Sequence, residues 1–128
     1  MKALWLIGLF TLMLCSQFTA LNTTIQPSQV MQGIEINKCI WQKVKGTGSM
    51  MPTISTTSTL CKIKYSNQSL NVGDIIIFKI PDSNSTVVHR IIGFNDYIIT
   101  KGDNNEVNDK YNTTYSNITY IVGGILYT

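Results

Sequence analysis

The hydrophobic pattern of the chain changes character near residue 21. Residues 3–21 carry no charge and few polar side chains, whereas later residues alternate short apolar runs with polar turns. Ile34-Glu35-Ile36-Asn37 and Cys61-Lys62-Ile63-Lys64-Tyr65 alternate with a period of two, the pattern of a strand with one buried face. Asp74-Ile75-Ile76-Ile77-Phe78-Lys79-Ile80 is a continuous β-rich run stopped by Pro81-Asp82-Ser83-Asn84. Residues 86–92 and 97–100 form two further runs of the same kind. Residues 117–122 form the last, leading into Gly123-Gly124-Ile125-Leu126-Tyr127. No helix of ordinary length is predicted after the N-terminal segment, and there are no internal repeats. The expected fold class is therefore mainly β: a small coiled β-barrel or sandwich over residues 34–128, preceded by one N-terminal transmembrane helix.

A spanning helix needs roughly 17–25 predominantly apolar residues, so residues 1–21 are read as a membrane anchor. A cleaved secretory signal peptide is the rival, since residues 3–15 also match its apolar core. Its cleavage site would be poor, because Phe18 stands two places before Ala20 where a small residue is wanted. Residues 22–33 are polar, contain Pro27 and read as a juxtamembrane linker. Either reading sends the remainder out of the cytosol. Asn-x-Ser/Thr sequons at Asn22, Asn67, Asn84, Asn112 and Asn117 agree with that compartment.

The total of 128 residues leaves room for one domain besides the anchor. A formal charge of +3 with scattered lysines gives no basic stripe, so nucleic-acid binding gains no support. Cys39 and Cys61 are the only cysteines beyond Cys15. Two buried, unpaired thiols are favoured over a disulfide, free cysteine being among the most buried residue types. With one histidine and no Cys-x-x-Cys, no metal site is expected.

Candidate chemistry lies in Gly46-Thr47-Gly48-Ser49-Met50-Met51-Pro52-Thr53-Ile54 and in the single histidine, His89. A turn flanked by glycine and proline can hold Ser49 exposed, with its backbone N–H free to face a developing oxyanion. Serine needs a base to take its proton, and the base works best when a third group orients it. Unperturbed histidine titrates near pH 6.5, so a neutral His89 can accept that proton. Asp103 and Asp109, in an Asn-rich turn, are candidates for the third group. The same turn lacks the alternating ligands and closing glutamate of a calcium loop. Asp74 is read as capping the entry of its strand. A plain turn serine and a structural histidine are the alternatives to this reading.

The order of these segments resembles the sequence boxes of type I signal peptidases. The boxes are Gly48-Ser49-Met50-Met51-Pro52-Thr53, Gly73-Asp74-Ile75-Ile76-Ile77-Phe78, Val88-His89-Arg90-Ile91 and Thr100-Lys101-Gly102-Asp103-Asn104-Asn105 with Asp109. The resemblance covers about residues 44–125. Bacterial members carry a lysine base where His89 stands, so the chain is similar to the archaeal and endoplasmic-reticulum branch. Lys79 and Lys101 lie outside that position, and a Ser–Lys dyad is not expected.

The resemblance implies a membrane-anchored serine endopeptidase that removes N-terminal signal peptides from exported preproteins, cutting after small residues. Ser49 would be the nucleophile and His89 the base. Asp109 and Asp103 would orient and support the histidine, in roles that they could exchange. Thr47 would join the Ser49 N–H in the oxyanion hole. Met50, Met51 and Pro52 would line the substrate side, the two methionines adding an apolar surface towards the bilayer. Substrate would lie extended against a sheet edge. The implied partners are preprotein signal peptides and the lipid bilayer, with a translocon or accessory subunits besides. No cofactor, metal or nucleic acid is implied. The implied location is the cell membrane or endoplasmic reticulum membrane, single-pass, with the catalytic domain outside the cytosol. A related peptidase with a dedicated substrate, or a non-catalytic homologous subunit, are the alternatives.

Overall fold

The computed structural model describes residues 38–127. The expected anchor, linker and first strand (34–37) lie outside them. Among the described residues no helix is long and apolar enough to cross a membrane. They form one six-stranded sheet, built from β1 (Ile40–Lys43), β2 (Thr59–Lys64), β3 (Ile75–Lys79), β4 (Thr86–Phe94), β5 (Ile98–Lys101) and β6 (Ile118–Leu126). The strand order is β1-β2-β6-β3-β4-β5, and all five pairings are antiparallel. The mainly β expectation holds, and the apolar runs became β2 to β6 within a residue or two, except that β6 continues four residues past the expected run, through the glycines to Leu126. β1 was not anticipated: it has four residues, all exposed, and so lacks a buried face to mark it.

The uninterrupted apolar run of β3 has a physical reason. Ile76 and Phe78 point into one cluster with Ile91, Ile98 and Ile118, while Ile75 joins Met50, Ile54 and Leu60 in another. Both faces of this central strand are covered, so alternation would have left polar groups buried. Ile76, Phe78 and Ile91 are fully buried, each worth roughly 1.5–3 kcal/mol relative to exposure. Phe78 also meets the edge of Tyr111, ring centroids 6.3 Å apart.

Register shifts occur in β6, where Gly123 is the extra residue opposite Cys61/Lys62 and Thr119 opposite Ile77/Phe78, and in β4, where Ile92 is the extra residue between Ile91 and Gly93. Such bulges bend strands and increase their twist. β4 pairs with β5 only from Arg90 onwards, so its first half is hydrogen-bonded to β3 alone. That leaves an open strand edge next to His89.

The cysteine expectation is corrected. Cys39 and Cys61 form a disulfide, with Cα atoms 5.2 Å apart. The unanticipated strand β1 explains this. It brings Cys39 alongside β2, and its Cα separation falls in the range that a disulfide spans.

Candidate active site

Three segments meet at the site: the turn after β1, the middle of β4, and the turn after β5. Gly48 has φ +89°, a conformation open to glycine, and it begins the turn that carries Ser49. The N–H of Met51 donates to Gly48 O (3.1 Å) and that of Ile54 to Met50 O (2.9 Å), closing one helix-like turn. The Met51–Pro52 peptide is cis. Met50 and Ile54 anchor this turn in the core, each 4% exposed.

The turn is fastened to residues far along the chain. Asn104 N–H donates to Ser49 O at 2.8 Å, and Asn104 Nδ2 to Gly48 O at 3.2 Å. Gly102 lies so close that a Cβ there would stand 2.6 Å from Ser49 O and 2.9 Å from His89 Nε2. Glycine is needed at 102 for close approach.

His89 sits in β4 opposite Ile76 and is buried. Its Nε2 lies 3.0 Å from Ser49 Oγ, and its Nδ1 lies 2.6 Å from Asp109 Oδ2. The same carboxylate oxygen accepts from Thr100 Oγ1 at 2.7 Å, and Asp109 N–H donates to Thr100 O at 2.9 Å. The imidazole therefore spans a hydroxyl and a carboxylate, the arrangement that lets a neutral ring accept a proton at Nε2 and keep Nδ1–H held. The Ser49 N–H makes no hydrogen bond among the described residues.

Asp103 is engaged elsewhere. Arg90 grips it bidentately, Nε to Oδ1 at 2.9 Å and the terminal nitrogen to Oδ2 at 2.7 Å, and Thr53 Oγ1 donates to Oδ2 at 2.5 Å. Arg90 also donates to Gly73 O at 2.7 Å. Hydrogen bonding to Arg90 holds the Asp103 carboxyl below the usual carboxylate range, against the opposing effect of burial. Hydrogen bonding to Asp103 likewise raises the Arg90 guanidinium above its ordinary value.

Thr47 is exposed and lines the same cavity as Ser49 and His89, which has a volume of about 810 Å³. Met50 borders that cavity from the core. Met51 (42% exposed) and Pro52 are exposed and do not line it. Asp74 Oδ2 accepts from Asn71 N at 2.8 Å, a local turn outside the site. Among the described residues no three His, Cys, Asp or Glu side chains come together as a metal site. Thr53, Thr100 and Gly102 were not singled out from the sequence. All three lie in the quoted boxes, but nothing in a strand threonine marks Thr100 as a partner of Asp109.

Lysines that are scattered along the sequence come together in the fold. Lys43, Lys45, Lys62 and Lys79 all border the one cavity, drawn from β1, the loop after it, β2 and β3.

A sequence model of the family described as signal peptidase, peptidase S26, matches residues 9–119. Signal peptidase complex catalytic subunit SEC11C of Homo sapiens is 31% identical over 70 residues, which is 50% of this chain and 36% of that protein. The SEC11C subunit of Mus musculus matches to the same extent. Signal peptidase complex catalytic subunit sec11 of Schizosaccharomyces pombe is 36% identical over 53 residues, 38% of this chain and 28% of that protein. The chain thus spans about a third of the length of the curated relatives it matches. No solved structure matches significantly.

Proposed function

The chain belongs to the peptidase S26 family of signal peptidases, on its endoplasmic-reticulum and archaeal branch, and from that membership we propose that it is a serine endopeptidase removing signal peptides from exported preproteins. The observation that carries this reading is the hydrogen-bonded series Ser49–His89–Asp109, at 3.0 Å and 2.6 Å.

In this reading His89 Nε2 takes the Ser49 proton as Oγ attacks the scissile carbonyl. The imidazolium, held at Nδ1 by Asp109, then protonates the leaving amine as the C–N bond breaks. Water, deprotonated by the same ring, hydrolyses the acyl-serine. The Ser49 N–H and the Thr47 hydroxyl stabilise the oxyanion. Substrate lies extended along the open first half of β4, beside Met50. Asp103 supports the turn through Arg90 and Thr53 rather than touching the ring. Residues 1–21 serve as a single-pass anchor and 22–33 as a linker, with 34–128 as the catalytic domain outside the cytosol, at the cell membrane or endoplasmic reticulum membrane. Accessory subunits, as in the signal peptidase complexes of the relatives, are natural partners.

The test is incubation of the detergent-solubilised full chain with a preprotein, wild type beside Ser49→Ala, with products read by mass spectrometry. Cleavage after a small residue, lost in the variant, is the expected result. Cleavage that survives Ser49→Ala overturns the reading. A folded wild type that cuts no preprotein points to a dedicated substrate or a non-catalytic subunit.

A further inference from the structure

The cavity that holds Ser49 and His89 has two chemically different arms. Near the serine its walls are apolar, from Met50, Ile54, Leu60, Ile77 and Val88. Lys43, Lys45, Lys62 and Lys79 also line it and form its basic arm, and among the described residues none lining the cavity is acidic. Lys62 is held in place without being neutralised. Its Nζ donates to Gln42 Oε1 and stands 4.3 Å from the centroid of the Tyr120 ring, both uncharged partners. Lys43, Lys45 and Lys79 are exposed. Asp109, the carboxylate beside His89, is committed to His89 and Thr100. A cleft lined by charges of one sign concentrates ligands of the other.

The geometry also sets a distance. In the β3–β4 ladder His89 stands opposite Ile76 and Thr86 opposite Lys79, three residues further on. At about 3.3 Å per residue, an extended peptide laid along the open edge of β4 covers roughly 10 Å between these points. Its third or fourth residue from the scissile bond would then lie level with Lys79, on the far side of β4, and two extended side chains can span the roughly 10 Å across that strand.

We propose that this lysine-bearing arm selects extended peptide substrates that carry a carboxylate side chain three to four residues from the scissile bond. The proposal rests on the peptidase reading for its occupant, but its charge argument is independent of catalysis. Each exposed pair is weak and screened, so the selection comes from several lysines acting on one carboxylate. An approximately three- to tenfold preference of glutamate over glutamine is expected at low salt.

The experiment uses the full-length Ser49→Ala chain in detergent and a labelled peptide with alanine at the scissile position. Glu, Gln and Lys are placed in turn at each position two to six residues away on either side. Affinity is read by fluorescence anisotropy at low and high salt, and wild-type kcat/KM is measured on the same peptides. The expected result is Glu over Gln over Lys at one position three or four residues out, fading as salt shortens the screening length from about 10 Å at 0.1 M to about 3 Å at 1 M. Lys79→Gln with Lys43→Gln should bring the Glu/Gln ratio towards one, and Lys79→Glu should turn the preference towards the Lys peptide. Thermal melts check that each variant folds.

Binding that is indifferent to charge at every position overturns the proposal, as does a Glu preference unchanged by the lysine variants. Lysine-dependent binding to anionic phosphatidylglycerol vesicles, with no charge preference among peptides, overturns it in favour of a membrane-facing role. Charge-selective binding by Ser49→Ala without cleavage by wild type upholds the arm's selectivity and removes the peptidase reading alone.

Discussion

Asp109 Oδ2 lies 2.6 Å from His89 Nδ1, and Asp103 Oδ2 lies 2.7 Å from Arg90. The two acids of one turn therefore have separate work, and their variants should separate too. Asp109→Asn keeps the shape but lets the side-chain amide donate to Nδ1, which favours the wrong tautomer. A loss of about 10⁴ in kcat is expected, by analogy with the same change in a Ser-His-Asp triad. Asp103→Asn should cost far less in kcat. Equal losses from the two substitutions would break the assignment, and steady-state rates on one peptide decide it.

The Arg90–Asp103 pair makes a prediction about acid. A carboxylate whose folded pKa is lowered binds fewer protons folded than unfolded. Its stabilisation is complete above the unfolded value, near 3.9, and is lost as pH falls towards the lowered folded value. Wild type should therefore be more stable than Asp103→Asn at pH 7 and 5, with the gap closing below about pH 4. Urea midpoints across that range provide the measurement. A gap that persists undiminished to pH 2 would assign the stabilisation to something other than this ion pair.

Gly102→Ala tests the close approach of two turns. The added methyl would stand 2.6 Å from Ser49 O and 2.9 Å from His89 Nε2, closer than such atoms come. Relief must move the Ser49 turn, whose carbonyl is already tied to Asn104. A misplacement near 1 Å costs about 10²-fold in rate, so kcat should fall by about that factor. The protein should still melt cooperatively. Full activity in Gly102→Ala would mean that the turns can separate without disturbing Ser49.

Thr47→Val examines the oxyanion hole. The exposed hydroxyl stands two residues before Ser49 on the wall of the same cavity. If it donates to the oxyanion, its loss should reduce kcat by roughly 10²–10³ with little change in KM. A variant that matches wild type leaves the Ser49 N–H as the donor to be tested next.

How legible this arrangement was depended on the kind of signal each residue carried. β3 was readable because Ile75 to Phe78 are buried on both faces, and four consecutive strand-forming side chains show in any window. β1 was not, because an exposed edge strand has no core to dictate its residues. Ser49 and His89 were singled out by chemical type and neighbouring punctuation. The division between Asp103 and Asp109 was not readable, since it depends on which carboxylate the turn after β5 carries past β4. Thr100 illustrates the same limit: its burial comes from the strand and its use from a contact nine residues away. The lysine arm was hidden for the opposite reason. Lys43, Lys45, Lys62 and Lys79 are dispersed in sequence, and only the sheet order brings β1, β2 and β3 around one cavity.

The Cys39–Cys61 bridge ties the edge strand β1 to the sheet and makes its own prediction. Closing a loop across 22 positions restricts the unfolded chain enough to contribute about 3 kcal/mol in the chain-entropy account. For a domain of this size that corresponds to a melting-temperature difference on the order of 10–20 °C. Protein from an oxidising compartment should therefore melt lower after reduction, and Cys39→Ser with Cys61→Ser should reproduce the reduced value without reductant. Thiol counting in denaturant should find Cys15 reactive and the other two not. Three reactive thiols, with melting insensitive to reductant, would show that the pair stays reduced. On the β1 side, the Gly46–Ser49 segment would then be held by the Lys43–Thr59 end of the β1–β2 ladder and the Val44–Ser58 bond, besides its bonds to Asn104.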